Sequence, residues 1–302
     1  MSTLVSIIIP THRAEHFRNA LRCAQAQTHT EIEILVSDNS ESEQIHALCR
    51  QHPEVRYRRN VDGIAASNIA EPLLMARGEF VKYLFDDDLL YPHCVSTMLG
   101  HLGRLPAAAR AEVVLITSAR HVIDGDSVAY GEIRQEALKA STVIPGQEAL
   151  RQLIVGQSNF IGEFSSVLFR RDAVHLAHAG ELYDAFGANY PIGLIDVPLY
   201  ARLLSVGSLL YIPQALSAFR LHDAGGSTAH ANPLFHFAVS DWFRLVEGAV
   251  ACGLLDPGQA RTAAVNYLKL SSGFETAFAN ELRPWRERAQ RLMHLLHAGN
   301  AA

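Results

Sequence analysis

The chain has 302 residues, 49% of them hydrophobic and 19% charged, with a formal net charge of −5 at neutral pH. That length allows one large α/β domain, or one domain with an extension, and the apolar content is ample for a sizeable core. The acidic balance excludes a general electrostatic footprint for nucleic acid, yet it leaves anionic phosphates as ligands wherever a metal ion supplies local positive charge.

The four cysteines, Cys23, Cys49, Cys94 and Cys252, are scattered without a C-x-x-C pair. They read as reduced structural thiols of a cytoplasmic protein. The opening Met1-Ser2-Thr3-Leu4-Val5-Ser6 has neither a basic region nor a small-residue cleavage site, so no signal peptide is expected. No apolar run reaches the length of a membrane span.

Residues 4–9 form a β-branched apolar run that predicts a central parallel strand, with Pro10 expected to stop it for want of an N–H. A helix follows over 15–27, with Phe17, Ala20, Leu21 and Ala24 on one face. A second strand over 32–37 runs into Asp38-Asn39-Ser40. A helix over 43–51, a strand over 55–58 and a helix over 65–76 come next, and Gly78 leads into a further strand. Strand and helix alternate, with polar residues at successive strand ends, as in the nucleotide-binding half of an α/β sheet. The first strand–helix turn has no G-x-G-x-x-G, and G-x-x-x-x-G-K-[ST] is absent, so neither dinucleotide binding nor a P-loop is supported.

The strand over 80–85 ends in Asp86-Asp87-Asp88. Three adjacent carboxylates repel one another and lose hydration if buried. At the carboxyl end of a strand they would lie where open α/β sheets bind ligands. Their hard oxygens suit Mg²⁺ or Mn²⁺. The plainer alternative is a solvated turn with Asp88 capping the next helix.

Taken together these segments resemble the amino half of family 2 glycosyltransferases, inverting enzymes of the GT-A fold. The resemblance is carried by Val5-Ser6-Ile7-Ile8-Ile9-Pro10-Thr11, Gln27-Thr28, Glu33 to Ser40, Gly63 with Asn68, Ala76-Arg77-Gly78-Glu79-Phe80-Val81, and the Asp run followed by Pro92, all in family order. It implies an α/β fold, a Rossmann-like nucleotide-binding sheet flanked by helices, and a nucleotide-sugar donor, with a UDP-sugar favoured. Pro10, Thr11, Arg13, Asp38, Asn68 and Asp86 would line the donor site. Asp38 would reach the base, although an Asx turn opening Asn39-Ser40 explains it equally. Asp87 takes the usual metal position. Asp86 would touch ribose or metal. Two positions depart from the family pattern: Ser67 replaces an arginine before Asn68, so that a base contact is either lost or supplied by Arg58 or Arg59, and Phe85 replaces the first acid of the run.

Further along, a helix is expected over 91–105 and a strand over 113–118. Asp124-Gly125-Asp126 signals a hairpin turn. The polar stretch 131–142 reads as a mobile loop or linker, and 147–155 as a helix. Glu163 reads as a surface loop carboxylate. Ile195-Asp196-Val197-Pro198, with Arg202 six residues after Asp196, resembles the family's acidic motif, which implies Asp196 as the catalytic base. As a local signal the same pattern is a helix N-cap with proline following, and the two roles are compatible. Ile195 stands where the family usually has an acid. A strand over 207–213 precedes Phe219-Arg220-Leu221-His222, which resembles the family ending and implies His222, with Asp86 and Asp87, in the metal shell.

The sequence thus reads as a GT-A domain over 1–230, a donor half to about 118 and an acceptor half beyond, followed by a helical extension over 231–302. The expected reaction is inverting glycosyl transfer with Mn²⁺ or Mg²⁺, from a nucleotide-sugar to a glycan, lipid-linked or protein acceptor, in bacterial surface glycan or glycoconjugate synthesis. The expected location is cytoplasmic. The basic, amphipathic end from Arg283 to Leu296 could lie on an anionic membrane surface or pair with another subunit, but packing on its own domain is the commoner outcome. A non-catalytic scaffold on the same fold is the alternative. A nucleotidyltransferase is disfavoured, because Pro10-Thr11-His12-Arg13 supplies no glycine-rich basic loop.

Overall fold

The structure, a computed structural model, describes residues 3–221 and 232–298. In chain order the strands are β1 (Val5–Thr11), β2 (Ile32–Asp38), β3 (Val55–Arg59), β4 (Phe80–Tyr83), β5 (Leu89–Leu90), β6 (Val113–Ile123), β7 (Ala129–Ile133), β8 (Thr142–Ile144), β9 (Val167–Arg170), β10 (Asp184–Ala185), β11 (Ala188–Asn189) and β12 (Ser208–Arg220). The helices are α1 (Ala14–Gln25), α2 (Gln44–Cys49), α3 (Ala65–Met75), α4 (Cys94–Gly103), α5 (Ala107–Glu112), α6 (Gly146–Gly156), α7 (Val197–Val206), α8 (Phe235–Ala251), α9 (Pro257–Ser272) and α10 (Glu275–Ala298).

The described residues of Met1–Pro145, Phe160–Leu182 and Val206–His222 form one compact unit, and those of Gly146–Asn159, Tyr183–Ser205 and Asp223–Ala302 form a second. The first is the expected α/β sheet flanked by helices. Its strand order is β3-β2-β1-β4-β9-β6-β12-β5, with β7 on β6 and β8 on β12. β1 pairs in parallel with β2 and β4, whereas β9 runs antiparallel between β4 and β6. Every residue of β1 is buried, so both faces of the sheet are covered there. Phe17, Ala20, Leu21 and Ala24 bury the expected face of α1 against this core.

Pro10 does not end β1. It stays in register opposite Ser37. The Ile8 carbonyl accepts from Leu84 N and the Thr11 carbonyl from Asn39 N, so Pro10 faces the β4 side, where that strand has already ended. No ladder bond is lost. Likewise β12 runs on past Pro213, which sits at a register shift against β6. The helix expected from residue 91 starts instead at Cys94, because Leu89–Leu90 pairs with Ser217 and Ala218 of β12. The stretch 131–142 is not simply a loop: β7 extends into it through Ile133 and β8 begins at Thr142.

A buried carboxylate ties the sheet to its crossovers. Glu33 on β2 accepts from Ser6 Oγ on β1, from Arg77 N (2.6 Å) and Nε (2.9 Å), and from Arg56 Nη1 (3.0 Å). Burial alone would push its pKa up, but these donors outweigh it and hold the group down at about 2.

The second unit is mostly helical. The 231–302 stretch does not stand apart from the rest of the chain, since α8, α9 and α10 share this unit with α6 and with residues 183–205. Asp256 caps α9 in a capping box with Gln259, and Pro257 follows at the first helical position. α10 packs on its own unit, burying Leu282 and Ala289, and Arg288 pairs with Glu247 at 2.8 Å. No helix among the described residues is long and apolar enough to cross a membrane.

Because the Glu33 carboxyl is lower in the fold than in the open chain, the stability it contributes is full above about pH 4.5 and is lost as the pH falls toward 2. E33Q is expected to cost about 3 kcal/mol at pH 7, with the gap from wild type closing across that window. Urea unfolding at several pH values measures it.

Candidate active site

Strands β3, β2 and β1 run outward in reverse chain order, and β4 then joins the other side of β1. In open α/β sheets the crevice for ligands lies at such a reversal, here at the carboxyl ends of β1 and β4. Thr11 closes β1, and Asp86 follows β4. Thr11 Oγ1 donates to Asp86 Oδ2 at 2.7 Å, and the amides of His12 and Arg13 donate to the same oxygen at 3.1 and 3.4 Å. Asn68 on α3 donates Nδ2 to the Thr11 carbonyl at 3.1 Å, and its buried Oδ1 has no partner among the described residues. Pro10, Thr11, Asn68 and Asp86 therefore form one constellation. Arg13 is half-buried at its edge, in the N-cap position of α1.

Asp38 lies opposite Thr11 in register and is fully buried. Its Oδ1 accepts from Ser40 N at 2.8 Å, which is the Asx turn. Its Oδ2 accepts from Tyr57 Oη at 2.8 Å and lies 3.4 Å from Arg59 Nη1. Burial, then the Asp38 carboxylate, pushes the Tyr57 hydroxyl up. Arg58 pairs with Glu71, and Arg59 also holds Glu43 and the Ser42 carbonyl. Asp38 and both arginines thus shape the β2 and β3 ends through contacts within the protein.

The acidic turn beyond β4 is built from underneath. Phe85 donates its N–H to Ser165 Oγ at 2.9 Å and stacks its ring on Phe164, with centroids 5.6 Å apart. An aromatic residue here fills the site with packing where the family pattern has an acid. Asp88 does not cap α4. Its Oδ1 accepts from Arg220 N at 3.0 Å. Arg220 is buried and donates from Nε to the Asp87 carbonyl at 2.7 Å. Its other nitrogens reach the Asp124 carbonyl, the Gly125 carbonyl (3.0 Å) and Ser127 Oγ (2.9 Å). One guanidinium therefore pins the acidic turn to the β6–β7 hairpin. Lys82, wholly buried in β4, donates Nζ to the carbonyls of Ser165 and Val167, and burial pushes its pKa down.

Glu163 is a loop carboxylate, partly exposed, but it is held in an ion pair. Its Oε2 lies 2.7 Å from Arg120 Nε, and its Oε1 accepts from Nη2 at 2.9 Å. Gly162, at φ +104°, lets the backbone pass close by, since a Cβ there would collide with Ser166 Oγ and the Arg120 guanidinium.

Burial, and then the neighbouring Asp87 charge, push the Asp88 carboxyl well above the usual range. Two adjacent acids on one turn, one half-buried and one buried, call for positive charge. Such hard oxygen donors fit Mg²⁺ or Mn²⁺ through Asp87. Asp86 has one oxygen committed to the β1 turn. Among the described residues no cluster of three or more His, Cys, Asp or Glu could hold a metal. His222 lies outside the described residues.

In the second unit Asp196 immediately precedes α7, and its carbonyl accepts from Tyr200 N at 3.2 Å, which places it at the helix N-cap. Its Oδ2 accepts from Asn159 Nδ2 at 2.7 Å. Behind it Leu199, Leu203 and Leu204 are buried, as the helical spacing predicts. The carboxylate is half-buried and lines a cavity of about 300 Å³ within this unit. Residues 189–194, which lead to Asp196, are gripped by α8. Arg244 donates to the Asn189 carbonyl at 3.0 Å and lies over the Tyr190 ring, and Leu194 N donates to Asp241 Oδ2 at 3.3 Å. Gly193, at φ +88°, has no room for a Cβ against Asp241 and the α8 backbone. Burial pushes Asp241 up to about 6 despite its 2.7 Å bond from Arg244.

Arg220, Asn159, Asp241 and Arg244 are absent from the sequence-derived site. A legible signal existed for two of them: Arg220 ends a strand of apolar residues, and Asp241 lies among the buried residues of α8, so each charge has to find partners within the fold.

A family model described as Glycosyl transferase family 2 matches residues 6–176. An uncharacterised glycosyltransferase of Rickettsia typhi is 26% identical over 237 residues, 77% of this chain and 69% of that one. Another, of Rickettsia bellii, is 33% identical over 233 residues, 74% of this chain but only 31% of the relative, so the chain spans about a third of that protein's length. Crystal structures of S. aureus TarS share the fold. The complex with UDP-GlcNAc gives a TM-score of 0.62 at 14% identity, covering 95% of this chain and 79% of that one. The complex with UDP gives 0.62 at 15% identity, covering 99% and 87%.

R220M removes the buried guanidinium that joins the acidic turn to the β6–β7 hairpin. We expect a loss of about 3 kcal/mol in unfolding free energy. Hydrogen exchange should accelerate at 86–90 and 124–128 more than in β1. Native-state exchange by mass spectrometry measures both.

Proposed function

The chain belongs to glycosyl transferase family 2, and on that footing we propose that it moves a sugar from a nucleoside-diphosphate donor to an acceptor hydroxyl with inversion. The observation that carries this reading is the Thr11–Asn68–Asp86 constellation at the β1/β4 crevice, followed directly by the Asp87–Asp88 turn. It is a pre-organised polar cradle with an acidic lip, built where α/β sheets bind nucleotides. The TarS complexes with UDP and UDP-GlcNAc make uridine the first base to test.

The residues divide the work by their chemistry. The buried Asn68 Oδ1 and the Asp86 carboxylate are the acceptors that nucleoside hydroxyls would meet. Asp87 would hold Mn²⁺ or Mg²⁺, which supplies positive charge to the leaving diphosphate. Asp196 accepts the proton of the acceptor hydroxyl as that oxygen attacks the anomeric carbon in line. The 2.7 Å bond from Asn159 orients its carboxylate. General-base help of this kind is worth about 10²–10⁴ in rate. Assembly of bacterial surface glycans or glycoconjugates at the cytoplasmic face of the membrane is the setting we infer from the family.

D196N is expected to lower transfer by about 10³-fold while leaving nucleotide binding near wild type. Transfer at the wild-type rate would remove Asp196 from the mechanism. UDP with Mn²⁺ should raise the melting temperature as its concentration rises, and D87A should abolish the metal-dependent part of that shift. If UDP, GDP, TDP and CDP all fail to stabilise the protein, the non-catalytic scaffold takes the place of the enzyme.

A further inference from the structure

We propose that the cavity beside Asp196 is an acceptor pocket that selects a sugar unit carrying an N-acyl group. The proposal rests on Asp196 as the base of the transfer reaction.

The polar side chains lining the cavity are Asp196, Asn159 and Asn232; Asn159 donates to Asp196, and Asn232 accepts from the N–H of Leu234, which also lines the cavity, at 2.9 Å. The rest of the lining is mainly apolar and comes from two helices and the turn after α9. Phe235, Val239 and Trp242 recur at helical spacing along one face of α8, Leu270 ends the wall on α9, and Phe274 follows α9. The Phe235 and Phe274 rings lie 5.4 Å apart and form a continuous aromatic surface. A volume of about 300 Å³ is at the small end for ligand sites. It admits one sugar ring with a short substituent, and a long lipid chain would need an extended groove.

The polar inventory decides the class. A hexose with every hydroxyl free would turn several of them against aromatic and aliphatic side chains, where they would lose water and gain no partner. An N-acylated sugar offers both kinds of group that the lining offers. Its methyl group covers the apolar wall, and its amide N–H and carbonyl match the amides of Asn159 and Asn232. A ring hydroxyl is left for Asp196. All wall residues lie beyond 176, where the match to the family model ends, so this selectivity belongs to the helical unit of this chain rather than to the shared sheet.

The test is saturation-transfer NMR on the full chain with UDP present, using the methyl glycosides of N-acetylglucosamine and of glucose. We expect saturation on the acetamido methyl and about tenfold tighter binding of the N-acetylated probe, the discrimination usual for a small apolar group. F274S and L234S alter the partly exposed rim of the wall, and each should erase the preference, with thermal stabilisation by UDP as the check that the variant is folded. Equal binding of the two glycosides, a preference that survives both substitutions, or stronger binding of a prenyl phosphate than of either glycoside overturns the proposal. D196N separates the two readings. If it still transfers sugar while the wall variants lose the preference, the base assignment fails and the pocket assignment stands.

Discussion

The β1/β4 crevice depends on one carboxylate oxygen. Asp86 Oδ2 receives the Thr11 hydroxyl and the amides of His12 and Arg13, so the acidic turn and the first strand–helix turn are held as a single body. A buried carboxylate without such donors would lose its hydration with no return. Here the donors lie on the neighbouring strand's turn, where a parallel sheet brings two strand ends side by side. The geometry of the crevice is thus fixed by the same bonds that make burying the charge tolerable.

A similar economy recurs in the helical unit. Asp196 is an N-cap by position and takes a hydrogen bond from Asn159, while the segment leading to it is fixed by Asp241 and Arg244 of α8. Burying Asp241 is costly even with its arginine present, as its raised pKa records. A cost of that kind persists where a segment has to be held in one place, and residues 189–194 are such a segment.

Much of this was legible in the sequence because β-branched runs and helical spacing report burial directly. The first four strands, α1 to α3 and the stripe behind Asp196 follow from period alone. What escaped were contacts between residues far apart in the chain. Pro10 looked like a strand end because a missing N–H is costly in a ladder, but which side of β1 it faces depends on where β4 stops. Asp88 looked like a helix cap, and β5 went unseen, because two residues of strand have no period to read. Glu163 looked exposed until Arg120 was brought against it. In each case the deciding partner came from an element whose place in the sheet no local pattern encodes. The domain boundary expected at 230 fared the same way, since the units interleave and the chain crosses between them more than once.

The placement of β12 has a bearing on biosynthesis. It lies between β6 and β5, and among the described residues β5 has no other strand partner. Arg220, at its end, meets Asp88 and Asp87 across 132 and 133 residues of chain. The acidic turn therefore leaves the ribosome early but cannot take its final shape until β12 has been made. During that interval β6 offers an open edge, the kind of surface that pairs with the wrong neighbour. A fragment cut where the family model ends, at residue 176, would keep that edge permanently and would carry every donor-side acid without the arginine that sets them. The acidic turn, early in the gene, is thus set by the last strand of its unit.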